Sequence, residues 1–275
     1  MLDRRNFGWL SMVSATCCVA SGPRSLMSSP IPKDKLGSGF SLYGMKSLPL
    51  QKAIETCAEI GYDCIEIPTM VDWPGAPEKL NKEDRNNIQR GMRNRSLRLS
   101  ALMENLILLA EPVVHSKNRD RLKSAYELSK DLSPQTKPIV ETVLGGKPSE
   151  WDQIKSQMAD RLGEWSADAE KAGAIVAIKA HISGAAHRPE HVRWLLDQVK
   201  SPSLKSAFDF SHFQLRGIEL QSAWSLLAKD VVFIHIKDSI GDEKKFQFVL
   251  PGEGSIDYAE YFKLCLLYTS PSPRD

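Results

Sequence analysis

Seven short apolar runs, each followed by a segment of helical periodicity, fill the chain from Leu36 to Leu264. Polar or charged residues stand at the C-terminal end of nearly every run, and no Gly-x-Gly-x-x-Gly turn follows the first. These observations predict an α/β fold, a (β/α)8 TIM barrel over residues 36–264 that lacks strand 8 and helix 8. An open doubly wound sheet shares the alternation, but polar groups at successive strand ends suit the ring-shaped mouth of a barrel. The count stops at seven, and a full barrel takes about 250 residues, so roughly 30 more would complete it.

The elements follow in order. Phe40–Tyr43 is a short strand. Leu50, Ala53, Ile54, Cys57 and Ala58 share one face of a helix that Gly61 stops. Cys64–Ile67 is the second strand, and a Pro- and Gly-rich loop over Asp72–Pro77 leads to a polar helix from Glu83 to Asn94. Leu97–Met103 is the third strand, followed by a helix from about Asn118 to Leu132. Ile139–Leu144 is the fourth strand, ended by Gly145-Gly146. A long amphipathic helix then carries Trp151, Ile154, Met158, Leu162, Trp165 and Ala169. Ile175–Ile178 runs into Lys179 and His181 as the fifth strand, and Pro189 opens the next helix. Leu204–Phe208, a helix over Leu220–Leu227, and Val231–Ile236 complete the series. Trp151, Trp165, Trp194 and Trp224 fall at helical spacing and read as core, whereas Tyr43 and Trp73 are better placed to stack on a sugar.

The ends read differently. Asp3-Arg4-Arg5-Asn6-Phe7 before the mostly apolar run Gly8–Ala20 resembles a twin-arginine export signal over residues 1–20, with a Ser- and Pro-rich linker over 21–35. The expected location is therefore periplasmic or extracellular, in a bacterium. Cys265–Asp275 matches the translation of a library-preparation adapter, so the natural chain is expected to run past the barrel's seventh unit and to be interrupted near Leu264. Cys57 and Cys64 then remain as two buried thiols, although an oxidising compartment would permit a disulfide. Of 275 residues, 42% are hydrophobic and 25% charged, which supports one domain with a large core. A net charge of +2 is too small to argue for nucleic acid, and no apolar run reaches the roughly 18 residues of a spanning helix. The expected partner is a small sugar, with no stable membrane association once a signal is removed.

Three blocks carry a resemblance to a known family. They are Asp209-Phe210-Ser211-His212, Phe233-Ile234-His235-Ile236-Lys237-Asp238, and Pro251-Gly252-Glu253-Gly254-Ser255-Ile256-Asp257-Tyr258. In this order the chain resembles the xylose-isomerase-like TIM barrels of the sugar phosphate isomerase/epimerase group, over about Leu36 to Leu264. The resemblance implies a divalent metal at the barrel mouth, held by acids on strands five, six and eight and a histidine on strand seven. By motif, Asp209 and His235 are the visible metal ligands, and their types suit Mn²⁺, Mg²⁺, Co²⁺ or Zn²⁺ without choosing among them. Lys179 stands where the family has a glutamate, and the strand-eight acid lies beyond the chain. Either the metal is retained, with His181 as a substitute ligand, or Lys179 takes over its charge and pairs with Asp209.

The implied chemistry is proton abstraction beside a carbonyl through an enediolate, in a sugar isomerase or epimerase. Lys179, His212 and Glu141 are the expected catalytic groups. Glu66, His181, Lys237, Asp238 and Tyr43 are the expected substrate contacts. A lyase or dehydratase on a keto-sugar or glycoside would use the same enolate, and a catalytically inactive sugar-binding barrel would use none. For each residue there is a plainer role: an Asp–Lys pair that only supports the barrel, a solvated loop histidine, a strand-end glutamate satisfied by its neighbours.

Overall fold

A computed structural model describes residues 37–269. The expected signal (1–20), the linker up to residue 36 and the tail from residue 270 lie outside the described residues. Seven strands form one parallel sheet in sequence order: β1 (Gly39–Ser41), β2 (Cys64–Pro68), β3 (Arg98–Asn105), β4 (Ile139–Val143), β5 (Ile175–Lys179), β6 (Leu204–Asp209) and β7 (Val231–His235). Helices α1 (Leu50–Ile60), α2 (Lys82–Asn94), α3 (Pro112–Leu132), α4 (Trp151–Lys171) and α5 (Pro189–Val199) connect the first six strands. A short α6 (Phe210–Gln214) and α7 (Leu220–Leu227) connect the last two. This is the predicted run of β/α units. Among the described residues β7 and β1 pair with no eighth strand.

The strands have two apolar faces of different size. Val140, Val176, Ile178 and Phe208 point outward into the main core, with Ile54, Leu122, Tyr126, Leu162, Trp165 and Trp224 from the helices. The residues between them point inward. Ile175, Ala177 and Ala207, with Ile139 and Phe233 against them, make a second, smaller cluster inside the curled sheet. Because side chains alternate along a strand, the next inward positions are Glu141, Lys179, Asp209 and His235. A small apolar cluster thus floors the barrel, and titratable residues sit one step above it, toward the C-terminal mouth. The pairing register holds them level: Asp209 lies opposite His235, and Lys179 opposite Ala207.

Local sequence explains most boundaries. Gly61 ends α1 at φ 99°, a left-handed conformation, where its N–H caps the carbonyls of Cys57 and Ala58. Asn81 and Asp84 form a capping box at the start of α2. The third helix begins at Pro112, six residues ahead of the expected Asn118, because proline is favoured in the first helical turn. The tryptophans behave as core: Trp151, Trp165 and Trp224 are buried, and Trp194 packs partly buried against them. Cys57 is buried and Cys64 half-buried, and neither is in a disulfide.

After β7 the chain departs from the expected pattern. Asp238–Gly241 (β8) and Phe246–Val249 (β9) form an antiparallel hairpin separate from the main sheet. Gly241-Asp242 and the alternating Phe246-Gln247-Phe248 were the available signals. A last helix, α8 (Tyr258–Thr269), runs across the boundary expected near Leu264, with Tyr261, Leu264 and Cys265 buried.

Candidate active site at the barrel mouth

A line of four side chains crosses the mouth. Glu66 Oε2 lies 3.0 Å from His235 Nε2. His235 Nδ1 lies 3.1 Å from Lys179 Nζ, which donates to Glu141 Oε1 at 3.0 Å. His235 and Lys179 end β7 and β5, and Glu66 and Glu141 stand at the middle of β2 and β4. Burial draws the His235 imidazole down, but Glu66 outweighs it and the net shift is upward; in its neutral form Nε2–H donates to Glu66 and Nδ1 accepts from the Lys179 ammonium. Two full positive charges 3.1 Å apart would repel, and an amine is intrinsically about four pKa units more basic than an imidazole.

Burial and charge oppose each other throughout this line. Burial draws the Lys179 ammonium down, but Glu141, Asp209 and Glu66 outweigh it and the net shift is upward. Burial pushes Glu66 up, yet His235 and Lys179 hold its carboxyl below the ordinary value. For Glu141 burial wins over Lys179, and the carboxyl is raised. The two glutamates therefore differ in proton affinity although both are buried. Each also has one carboxylate oxygen with no hydrogen-bond partner: Glu66 Oε1 and Glu141 Oε2. The groups that reach the opening are His235 and Lys179, with side chains 16% and 10% exposed.

A second cluster adjoins the first. Asp209 is buried; its Oδ1 accepts from Ser211 Oγ at 2.6 Å, and its Oδ2 takes Lys237 Nζ at 3.1 Å. Burial works against its ionisation, but His212, Lys237, His235 and Lys179 hold it well below the usual carboxylate range. His212 is 1% exposed. Its Nδ1 accepts from the Ile182 N–H at 3.3 Å, and its Nε2 lies 3.0 Å from Lys237 Nζ. Burial takes its pKa down to about 3. Lys237, lowered chiefly by burial, also lies 3.8 Å from the Phe248 ring centroid. His181 packs on His212 with ring centroids 4.4 Å apart, and its Nδ1 accepts from the Ser183 N–H.

Several expected roles change with these positions. Among the described residues the metal-competent set is Glu66, Glu141 and His235, whose ligand atoms lie within 4.8 Å of one another. Asp209, expected as the fellow ligand of His235, is outside that set, because Ser211, Lys237 and His212 engage its carboxylate instead. His212, expected in catalysis, is buried, with Nδ1 accepting from the Ile182 N–H and Nε2 facing Lys237 Nζ at 3.0 Å and Asp209 Oδ2 at 3.5 Å. Asp238, expected at the pocket edge, is fully buried. Its carboxylate accepts from the N–H groups of Ser239, Gly252, Gly254 and Ile256, which makes it the organiser of a loop. Tyr43 is 57% exposed and stacks on Trp73 at 4.9 Å, whereas Trp73, expected beside it to stack on a sugar, is buried with Lys46 Nζ 4.7 Å from its ring centroid. Phe248, which faces Lys237 and His212, came from the unforeseen hairpin.

The set Glu66, Glu141 and His235 has the chemistry and spacing to hold a divalent cation. Lys179 is already bonded to two of the three. Ligand bonds of about 2.0–2.2 Å to the same oxygen and nitrogen would bring the ion close to the ammonium in a poorly solvated site. The ion and the charged lysine are therefore alternative occupants, and the cluster as arranged does not fit both.

The description "Xylose isomerase-like TIM barrel" matches residues 54–265. The chain belongs to that family. It is 26% identical over 223 residues to the inosose isomerase of Bacillus velezensis, covering 76% of this chain and 75% of that protein. The crystal structure of the IOLI protein with a bound zinc atom is similar at a TM-score of 0.73 and 22% identity, covering 86% of each chain. The probable 3-DHS dehydratase AsbF of Bacillus anthracis is similar at 0.71 and 14% identity, over 83% of this chain and 88% of that one.

Proposed function

We propose that this family member is a sugar isomerase or epimerase that transfers a proton at the carbon next to a carbonyl, through an enediolate. One observation carries the reading: the line Glu66–His235–Lys179–Glu141, buried, connected, and ended on each side by an unpartnered carboxylate oxygen. An ammonium has three donors, and Lys179 uses two of them among the described residues. The third is available to a substrate carbonyl oxygen. A fixed charge in a water-poor mouth stabilises the negative oxygen that forms when the neighbouring carbon loses its proton.

The glutamates supply proton transfer. Glu66, whose carboxyl is lowered, is the weaker base of the two, and Glu141, whose carboxyl is raised, is the one that more readily takes up and returns a proton. Carboxylates with proton affinities driven apart are the arrangement that such an exchange needs. Mn²⁺, Mg²⁺, Co²⁺ or Zn²⁺ would be held by Glu66, Glu141 and His235 only in place of the Lys179 ammonium. The similarity to an inosose isomerase supports a polyhydroxylated ketone as substrate. The twin-arginine-like start supports an exported enzyme, and hence an unphosphorylated sugar.

The test is deuterium exchange. The full chain, incubated in D₂O with inososes and free ketoses, is expected to wash deuterium into the carbon beside the carbonyl, read by NMR. Glu141→Gln and Lys179→Met should each slow this about 10²–10⁴-fold, the usual range for loss of an acid–base or oxyanion group. If no substrate of either class exchanges, or if both variants exchange at the wild-type rate, the proposal fails.

A further inference from the structure

We propose that Lys179 is the resident cation of this barrel mouth: its ammonium excludes a divalent ion, and loss of its charge turns Glu66, Glu141 and His235 into a metal site. Three ligand-type side chains from three strands converge within 4.8 Å, and two of them are buried carboxylates whose like charges disfavour joint ionisation unless a cation is near. The cation is present, and it is part of the chain. Lys179 Nζ touches Glu141 Oε1 and His235 Nδ1, and Glu66 also acts on it electrostatically. Its β5 backbone is held between β4 and β6, with Val143 and Ala207 as register partners, so the side chain starts from a fixed strand end at the mouth.

Without that charge the site is left with two buried carboxylates and an imidazole. Glu66 Oε1 and Glu141 Oε2 add lone pairs without a hydrogen-bond partner of good geometry, although the Ser41 side chain acts on Glu66. Such a set must then take up protons or a cation, and its hard oxygen and imidazole donors select a divalent metal. Methionine at position 179 keeps the length of the side chain and removes the charge. Glutamate at that position adds a further ligand.

Metal uptake tests it. Untagged full-length wild type, Lys179→Met and Lys179→Met/Glu141→Gln are dialysed against Zn²⁺ or Mn²⁺ and then desalted. Bound metal is measured by mass spectrometry, and Co²⁺ absorption reports the ligands. Wild type is expected to keep no stoichiometric metal. Lys179→Met should keep about one equivalent, bound about a hundredfold or more tighter than by wild type, and the double variant should lose it. Circular dichroism checks folding, and Lys179→Glu replaces Lys179→Met if the latter does not fold. One equivalent in wild type that vanishes in Glu66→Gln overturns the proposal. A folded Lys179→Met and a folded Lys179→Glu that bind no more metal than wild type do the same. Should neither variant fold, the wild-type measurement decides alone: stoichiometric metal overturns the exclusion, and none supports it.

Discussion

At the scale of single residues, the mouth contains a histidine whose behaviour is set by burial. His212 is 1% exposed and stays neutral in the folded protein down to about pH 3. In the unfolded chain it takes a proton near the ordinary value of 6.5. Between those limits the unfolded state binds more protons, so stability must fall as pH drops from about 6.5 toward 3. The slope attributable to this residue approaches roughly 1.4 kcal/mol per pH unit. Asp209 adds a loss in the same direction only below its own ordinary value of 3.8, because its folded carboxyl is depressed. Urea midpoints measured between pH 7 and 4 should show the decline in wild type and a flatter line in His212→Gln. An unchanged line in the variant would mean that the histidine is not the titrating group. In the sequence, this residue and Asp209 were legible as a pair near a strand end. Their roles were not, because nothing in Asp209-Phe210-Ser211-His212 says that Lys237 and the Ile182 N–H will occupy both imidazole nitrogens.

At the scale of elements, regular units were the most legible. A strand needs only alternation and a helix only periodicity, and both are local; the seven β/α units could be read for that reason. The hairpin β8–β9 was hidden because its strands are short and partly exposed, so their apolar residues resemble a loop. What holds it is Asp238. Four backbone N–H groups converge on its carboxylate, and a Cβ on Gly254 would press into that same carboxylate. In Asp238→Asn an amide donor would replace one acceptor oxygen, leaving buried N–H groups unpaired at a cost of about 1–3 kcal/mol. Gly254→Ala should cost a similar amount by displacing the carboxylate. Both are expected to lower the urea midpoint and to loosen Phe248 over Lys237, while leaving the seven-stranded sheet folded by circular dichroism. Wild-type midpoints in both variants would show that the loop is held by other contacts.

For the whole molecule, the core outside the sheet and the small floor within it have separate tasks. The outer core carries stability: Trp165 is fully buried between helices and sheet, and Trp165→Ala should cost about 3–5 kcal/mol in a denaturant titration. The inner floor of Ile175, Ala177 and Ala207 is small, so its residues set the depth of the mouth more than the strength of the fold. Ala177→Val is expected to slow the proton exchange more than it lowers the unfolding midpoint; the reverse order would count against this division. A strict alternation of inward and outward residues was visible in Ile175-Val176-Ala177-Ile178-Lys179. The site's connectivity was not, because it joins positions far apart in the chain, and sequence pattern carries no information on which strand ends meet.

One of those long-distance joins is the bond between His235 on β7 and Glu66 on β2, 169 residues apart and 3.0 Å long. It spans the side on which the sheet's first and last strands are not paired with each other. The curvature of the sheet and the alignment of the line Glu66–His235–Lys179–Glu141 are therefore one variable. A strand movement of an ångström or two, too small to register as unfolding, would part the imidazole from its acid. Agents that relax the sheet, such as mild urea or warming, should silence the chemistry well before they melt the protein.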